Sequence, residues 1–131
     1  MTSAPSEQPQ LRALADNLFA TLREASFDGV GVTRASYGES ETRAFHIVAE
    51  VAEKDGLDVA YDRAGNLVIT LEGEQSEQPF VACGSHLDSV PEGGNFDGAA
   101  GVIAGLLVLI SLRRAGFVPA TSLKVYALRA E

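Results

Sequence analysis

The 131-residue sequence predicts an α/β fold around a mixed sheet, and three observations carry that expectation. Leu11, Leu14, Leu18, Leu22 and Ala25 recur at helical spacing. Two short β-type runs, Leu57 to Asp62 and Leu67 to Leu71, flank Arg63-Ala64-Gly65-Asn66 in the manner of an antiparallel hairpin. Further on, an apolar strand, a glycine-rich loop, an apolar helix and a second apolar strand follow one another as a βαβ unit, whose two strands must be parallel.

Taken in chain order, Met1 to Gln10 is polar, contains proline and lacks an apolar signal core, so it reads as a flexible tail. An amphipathic helix is expected from about Pro9 to Ser26, and a loop through Gly29, Gly31 and Gly38 follows it. Ser40 is then placed to cap a second helix, with Ala44, Ile47, Val48, Val51 and Ala52 on its core face and Gly56 closing it. The hairpin comes next, and Glu72 to Pro79 is a polar surface loop. Phe80 to Gly84 reads as a strand buried on both faces, with Cys83 as one of its small apolar side chains. A helix from about Gly98 to Ala115 stops at Gly116 and Pro119, and Leu123 to Leu128 is the final strand. That strand is expected to stand as a bare edge, open to pairing with another copy.

Composition narrows the function. Ten Lys+Arg against 18 Asp+Glu leave a net charge of −8, which argues against nucleic acid and anionic membranes as partners. The longest apolar run, Gly98 to Ile110, is too short to span a bilayer. The single cysteine rules out an internal disulfide framework and fits a reducing cytoplasm. No G-x-S-x-G elbow accompanies Ser85 or Ser89, and Glu92 to Gly101 matches neither phosphate-binding glycine pattern.

The chemistry concentrates in Ser85-His86-Leu87-Asp88-Ser89-Val90-Pro91-Glu92-Gly93-Gly94-Asn95-Phe96-Asp97-Gly98. In open α/β sheets, ligands bind beyond the carboxyl ends of the strands. His86, Asp88 and Glu131 fall at those ends, and Asp97 begins the intervening helix. Each has a plainer use as well: His86 as a hydrogen-bonded strand-end residue, Asp97 as a helix N-cap. Together a histidine, its neighbouring carboxylate and an aspartate among small residues favour a metal site, Gly93, Gly94, Gly98 and Ala99 leaving room for cations. His46 reads as a surface or boundary residue of the second helix.

The run from Gly84 to Val102 resembles the metal-binding core of the N-carbamoyl-L-amino-acid hydrolases, allantoate amidohydrolases and β-ureidopropionases, relatives of the dinuclear metallo-exopeptidases. Gly31-Val32-Thr33-Arg34, the helix at Glu41 to Gly56 and Asp62-Arg63-Ala64-Gly65-Asn66-Leu67 extend the likeness over nearly all of residues 11–131. The resemblance implies the N-terminal part of a three-layer α/β/α metallo-exopeptidase-like catalytic domain with a mixed sheet. It implies His86 as a terminal ligand of one metal, Asp97 as the carboxylate bridging both, Asp88 as the support of the histidine and Glu131 as the general base. It further implies two divalent ions (Zn, Mn, Co or Ni), a small-molecule N-carbamoyl or ureido substrate, a cytoplasmic protein, and a homodimer at full length.

The implied reaction is metal-assisted hydrolysis of a linear amide or ureido C–N bond, in which Glu131 relays the proton from water to the leaving nitrogen. In that family a second glutamate, two further histidine ligands and a dimerisation domain lie after the position of Glu131. The chain is therefore expected to be a fragment, truncated before the dimerisation domain and inactive alone. Two other readings stand beside this one: a dipeptidase or aminoacylase of the same superfamily, and a non-catalytic α/β interaction module. The residues that bind substrate are not legible.

Overall fold

A computed structural model describes residues 7–77 and 79–131. Its elements are α1 (Glu7–Ser26), α2 (Glu39–Lys54), β1 (Asp58–Tyr61), β2 (Leu67–Leu71), β3 (Val81–His86), α3 (Ala99–Arg114) and β4 (Leu123–Leu128). The four strands form one mixed sheet in the order β1-β2-β4-β3. β1 and β2 pair antiparallel as the expected hairpin, β2 and β4 pair antiparallel, and β3 and β4 are parallel, with His86 level with Leu128. Most of the expected tail, residues 1–6, lies outside the described residues, whereas Glu7 to Gln10 already belong to α1.

Alternation decides which face is covered. Leu67, Ile69, Leu71, Val125 and Ala127 point into one core with Leu18 and Leu22 of α1, Phe45 and Val48 of α2, and Ile103, Leu106 and Ile110 of α3. Among the described residues the opposite face, which carries Val68, Thr70, Lys124 and Tyr126, is covered by no helix. Close approach of α3 to the sheet depends on its missing side chains. A Cβ at Gly105 would lie 2.9 Å from Val125, and one at Gly101 would lie 2.7 Å from Ser85.

Three expectations are corrected. First, β3 is an exposed edge strand, not one buried on both faces, because β4 enters the sheet between it and β2. Val81 is accordingly 63% exposed and Cys83 is exposed. Second, the same topology makes β4 an interior strand rather than the bare edge. Third, Ser40 does not cap α2. The cap is Gly38, in extended conformation without a side-chain bond, so Ser40 falls inside the first turn. Two residues outside the expected core face, Glu41 and Phe45, are fully buried there.

Two loops are sewn together beneath the sheet's carboxyl end. Val32 and Gly93 exchange backbone hydrogen bonds of 3.0 and 2.8 Å. Beside them, Asp28 accepts from the amides of Val30, Gly31 and Glu92 and from the Thr33 hydroxyl. These donors, Thr33 first, lower the Asp28 pKa from 3.8 to about 2. A carboxylate whose folded value is depressed contributes stability that is complete above its unfolded value and vanishes as the pH falls through the folded one. Asp62, held low chiefly by the Asn66 side chain, acts in the same direction. The urea midpoint should therefore fall between about pH 4 and pH 2. Asp28→Asn should flatten that fall; an unchanged slope would exclude Asp28 as a source.

Candidate metal and proton-transfer site

His86 is the last residue of β3, and parallel pairing brings it level with the end of β4, three residues before Glu131. Its imidazole is half-buried and engaged on both sides. Nδ1 lies 3.0 Å from the carbonyl oxygen of Asp88 and 3.2 Å from its Oδ1, while Nε2 is 3.6 Å from Oε2 of Glu131. Nδ1 thus meets two oxygens of Asp88 and Nε2 meets the Glu131 carboxylate, so the ring is oriented from both sides.

Asp88 is buried, and burial pushes its carboxyl pKa up. The Ser36 hydroxyl at 2.8 Å, the Glu131 amide at 3.2 Å and the nearby His86 outweigh that effect and hold the group below its usual value. It therefore sits as an anion between the histidine and the backbone of Glu131.

Asp97 enters from the other side. It is exposed, and α3 begins at Ala99 with Gly98 as a cap that makes no side-chain bond. Among the described residues the Asp97 carboxylate has no hydrogen-bond or ion-pair partner, so it is not spent as an N-cap. Gly98, the next residue, is what approaches the histidine. Its φ is +66°, and a Cβ there would fall 2.5 Å from Cε1 of His86, so the ring lies directly over the glycine. The structure thus gathers His86, Asp88 and Glu131 into direct contact, while of the segment around Asp97 it is Gly98 that packs against the His86 ring. His46 is exposed on α2, away from this cluster.

The residue that holds the loop was not visible in the sequence pattern. Arg34 is fully buried. Its Nε donates to the Leu87 carbonyl at 2.5 Å, Nη1 to Ser26 Oγ and Asn95 Oδ1 at 3.2 Å each, and Nη2 to the Asn95 carbonyl at 3.3 Å. Desolvation lowers its pKa, and the nearby charges of Asp88 and Asp97 oppose that shift. Asn95 in turn donates to the Phe19 carbonyl on α1. No spacing signal marks an arginine as buried. Glu41 had such a signal, for it occupies the apolar stripe of α2 with Ala44, Phe45, Val48 and Ala52.

The donor types suit a divalent cation: one imidazole nitrogen with its other nitrogen fixed, and one unengaged carboxylate. Among the described residues no group of three or more His, Cys, Asp or Glu converges as a complete ligand set.

Residues 66–131 match the family model described as peptidase family M28. The chain is 43% identical over 101 residues to an N-carbamoyl-L-amino acid amidohydrolase of Geobacillus stearothermophilus, covering 77% of this chain and 25% of that protein. It is 38% identical over 104 residues to an allantoate amidohydrolase of Bacillus subtilis, covering 79% of this chain and 25% of that protein. A crystal structure of a hydantoinase/carbamoylase family amidase from Burkholderia vietnamiensis superposes with a TM-score of 0.82 at 30% identity, over 91% of this chain and 29% of that one. The chain thus spans about a quarter of the length of the curated relatives it matches.

Two substitutions test the geometry. Gly98→Ala forces a left-handed residue to carry a side chain, costing about 1–2 kcal/mol, and pushes the His86 ring aside. The His86 ring resonances should shift while those of the α1–α2 core stay in place; an unmoved ring would refute the contact. Arg34→Met leaves several buried acceptors unpaired and should cost about 3 kcal/mol in urea unfolding. A loss below about 1 kcal/mol would show that these bonds are not holding the loop.

Proposed function

We propose, for a chain that belongs to peptidase family M28, that His86 and Asp97 hold a divalent cation and Glu131 transfers the proton in hydrolysis of a linear amide or ureido C–N bond. One observation carries this: Nε2 of His86 and the exposed carboxylate of Glu131 meet 3.6 Å apart, beyond the ends of two parallel strands. The relatives' names favour a small N-carbamoyl or ureido substrate, such as an N-carbamoyl-L-amino acid or allantoate, over a peptide; a ureidopropionate-type substrate belongs to the same proposal.

A cation bound by His86 and Asp97 supplies Lewis acidity and makes water a better nucleophile near neutral pH. Asp88 fixes the imidazole through Nδ1, so the ring presents Nε2 in one orientation. Glu131, 65% exposed in its side chain, accepts the proton of the attacking water at Oε2. The water oxygen bonds to the carbonyl carbon, the C–N bond breaks, and Glu131 returns its proton to the leaving nitrogen. An N-carbamoyl substrate would yield the amino acid and carbamate, which decomposes to ammonia and carbon dioxide. The same proposal would have two divalent cations, of Zn, Mn, Co or Ni, held in part by His86 and Asp97. A cytoplasmic location and a homodimer of the whole protein belong to it as well. Among the described residues no complete ligand set converges, and the same proposal has the 131-residue polypeptide inactive alone.

Titrating the 131-residue polypeptide with Zn²⁺ or Mn²⁺ should reveal weak binding that His86→Ala and Asp97→Asn each reduce about tenfold or more. Equal affinity in both variants would remove them as ligands, and turnover of an N-carbamoyl amino acid by the isolated polypeptide would refute its inactivity. Grafting residues 11–131 into the Geobacillus relative should preserve metal-dependent ammonia release, and Glu131→Gln in that graft should lower kcat by roughly 10²–10⁴. A smaller loss would assign the proton transfer elsewhere.

A further inference from the structure

Beyond Leu128 the sheet ladder ends, yet the next three backbone amides are all satisfied, each by a side chain from a different element. The Arg129 amide donates to Oδ1 of Asn66 in the β1–β2 turn at 2.8 Å. The Ala130 amide donates to Oε1 of Glu41 on α2 at 3.0 Å, and the Glu131 amide to Oδ1 of Asp88 at 3.2 Å. Ala130 has a φ of +58°, a left-handed conformation that is unfavourable for a residue with a Cβ and persists only where its surroundings impose it.

From this geometry we infer that Asn66, Glu41 and Arg129 are positioning residues for Glu131, forming with Asp88 a cradle that turns the chain through Ala130 and aims the Glu131 carboxylate at His86. Glu41 is the centre of it. The residue is fully buried, and its other oxygen accepts the Tyr37 amide at 2.6 Å. Its charge is matched by Arg129, whose Nε lies 3.4 Å from Oε2 as an ion pair without hydrogen-bond geometry. Arg129 is itself held: Nη2 donates to Thr42 Oγ1 at 2.9 Å, and the guanidinium lies over the Phe45 and Tyr37 rings.

Asn66 is fixed in turn, because Asp62 accepts both its side-chain and its backbone N–H. The cradle thus connects the start of α2 and the hairpin turn to a residue more than sixty positions along the chain. Both regions act on Glu131 through residues 129–131, by their backbone amides and by the Arg129 side chain. The inference rests on Glu131 as the proton-transfer residue, but the cradle is measurable without turnover.

Amide hydrogen exchange on the 131-residue polypeptide provides the test. Glu41→Gln leaves a single acceptor oxygen for two backbone amides. Exchange at Ala130 and Glu131 should rise about tenfold or more, while Val125 and Ala127 within β4 keep their rates. Asn66→Ala, altered at a half-buried turn, should do the same at Arg129 and decides the matter if Glu41→Gln fails to fold. Arg129→Lys, which keeps the charge beside Glu41, should exchange at 130 and 131 closer to wild type than Arg129→Met. Unchanged rates at 129–131, or rates that rise only together with those of β4, would overturn the cradle. Local acceleration combined with full turnover of a grafted Glu131→Gln enzyme would uphold the cradle and refute only the role of Glu131.

Discussion

A buried arginine without a carboxylate at ion-pair distance holds the site to the rest of the molecule. Arg34 lies fully inside, and placing its charge there costs several kcal/mol. What offsets that cost is its set of acceptors: the carbonyls of Leu87 and Asn95, the Asn95 side chain and the Ser26 hydroxyl. Leu87 lies between His86 and Asp88, Asn95 two residues before Asp97, and Ser26 ends α1. One planar guanidinium therefore sets three segments relative to one another, something a lysine's single ammonium could not do. Its own amide accepts no freedom either, for it donates to Ser89 in the same loop.

Around that anchor the molecule relies on side chain to backbone bonds wherever regular structure stops. Asp28 collects amides from two loops, Asp62 closes the hairpin turn, and Asn66, Glu41 and Asp88 take the three amides that follow β4. Strand ladders bring His86 and Glu131 to the same level, but they end before either functional group is oriented. Orientation is supplied by carboxylates and amides whose geometry depends on their own neighbours. This fits the general contrast between rigid scaffolds and the connecting segments that carry chemistry.

Periodicity and spacing made the scaffold legible: among the described residues the three helices, the hairpin, the parallel pair and the loop from His86 to Asp97 stand where the pattern put them. What escaped the pattern was sheet order. A run such as Val81-Ala82-Cys83 is equally apolar whether it ends up central or at an edge, and only the insertion of β4 beside β2 decided it. Ser40 looked like a cap because its hydroxyl is the right chemistry, yet Gly38 begins the helix and Glu41 reaches back to the Tyr37 amide instead. Arg34, Asn95 and Arg129 were invisible because their partners are distant carbonyls, amides and rings, which no local motif encodes.

The order of the strands in space, β1-β2-β4-β3, also governs how this unit can be assembled during synthesis. The β1–β2 hairpin has a local partner and can form as it leaves the ribosome. β3 has none: among the described residues its one neighbour is β4, separated from it by all of α3. Until β4 arrives, the apolar face of α3 and both edges awaiting it stay uncovered, a state that favours chaperone capture or misassociation. Insertion of β4 then completes the core and delivers residues 129–131 to the side chains that hold them. Closure of the sheet and placement of Glu131 beside His86 thus depend on the same strand.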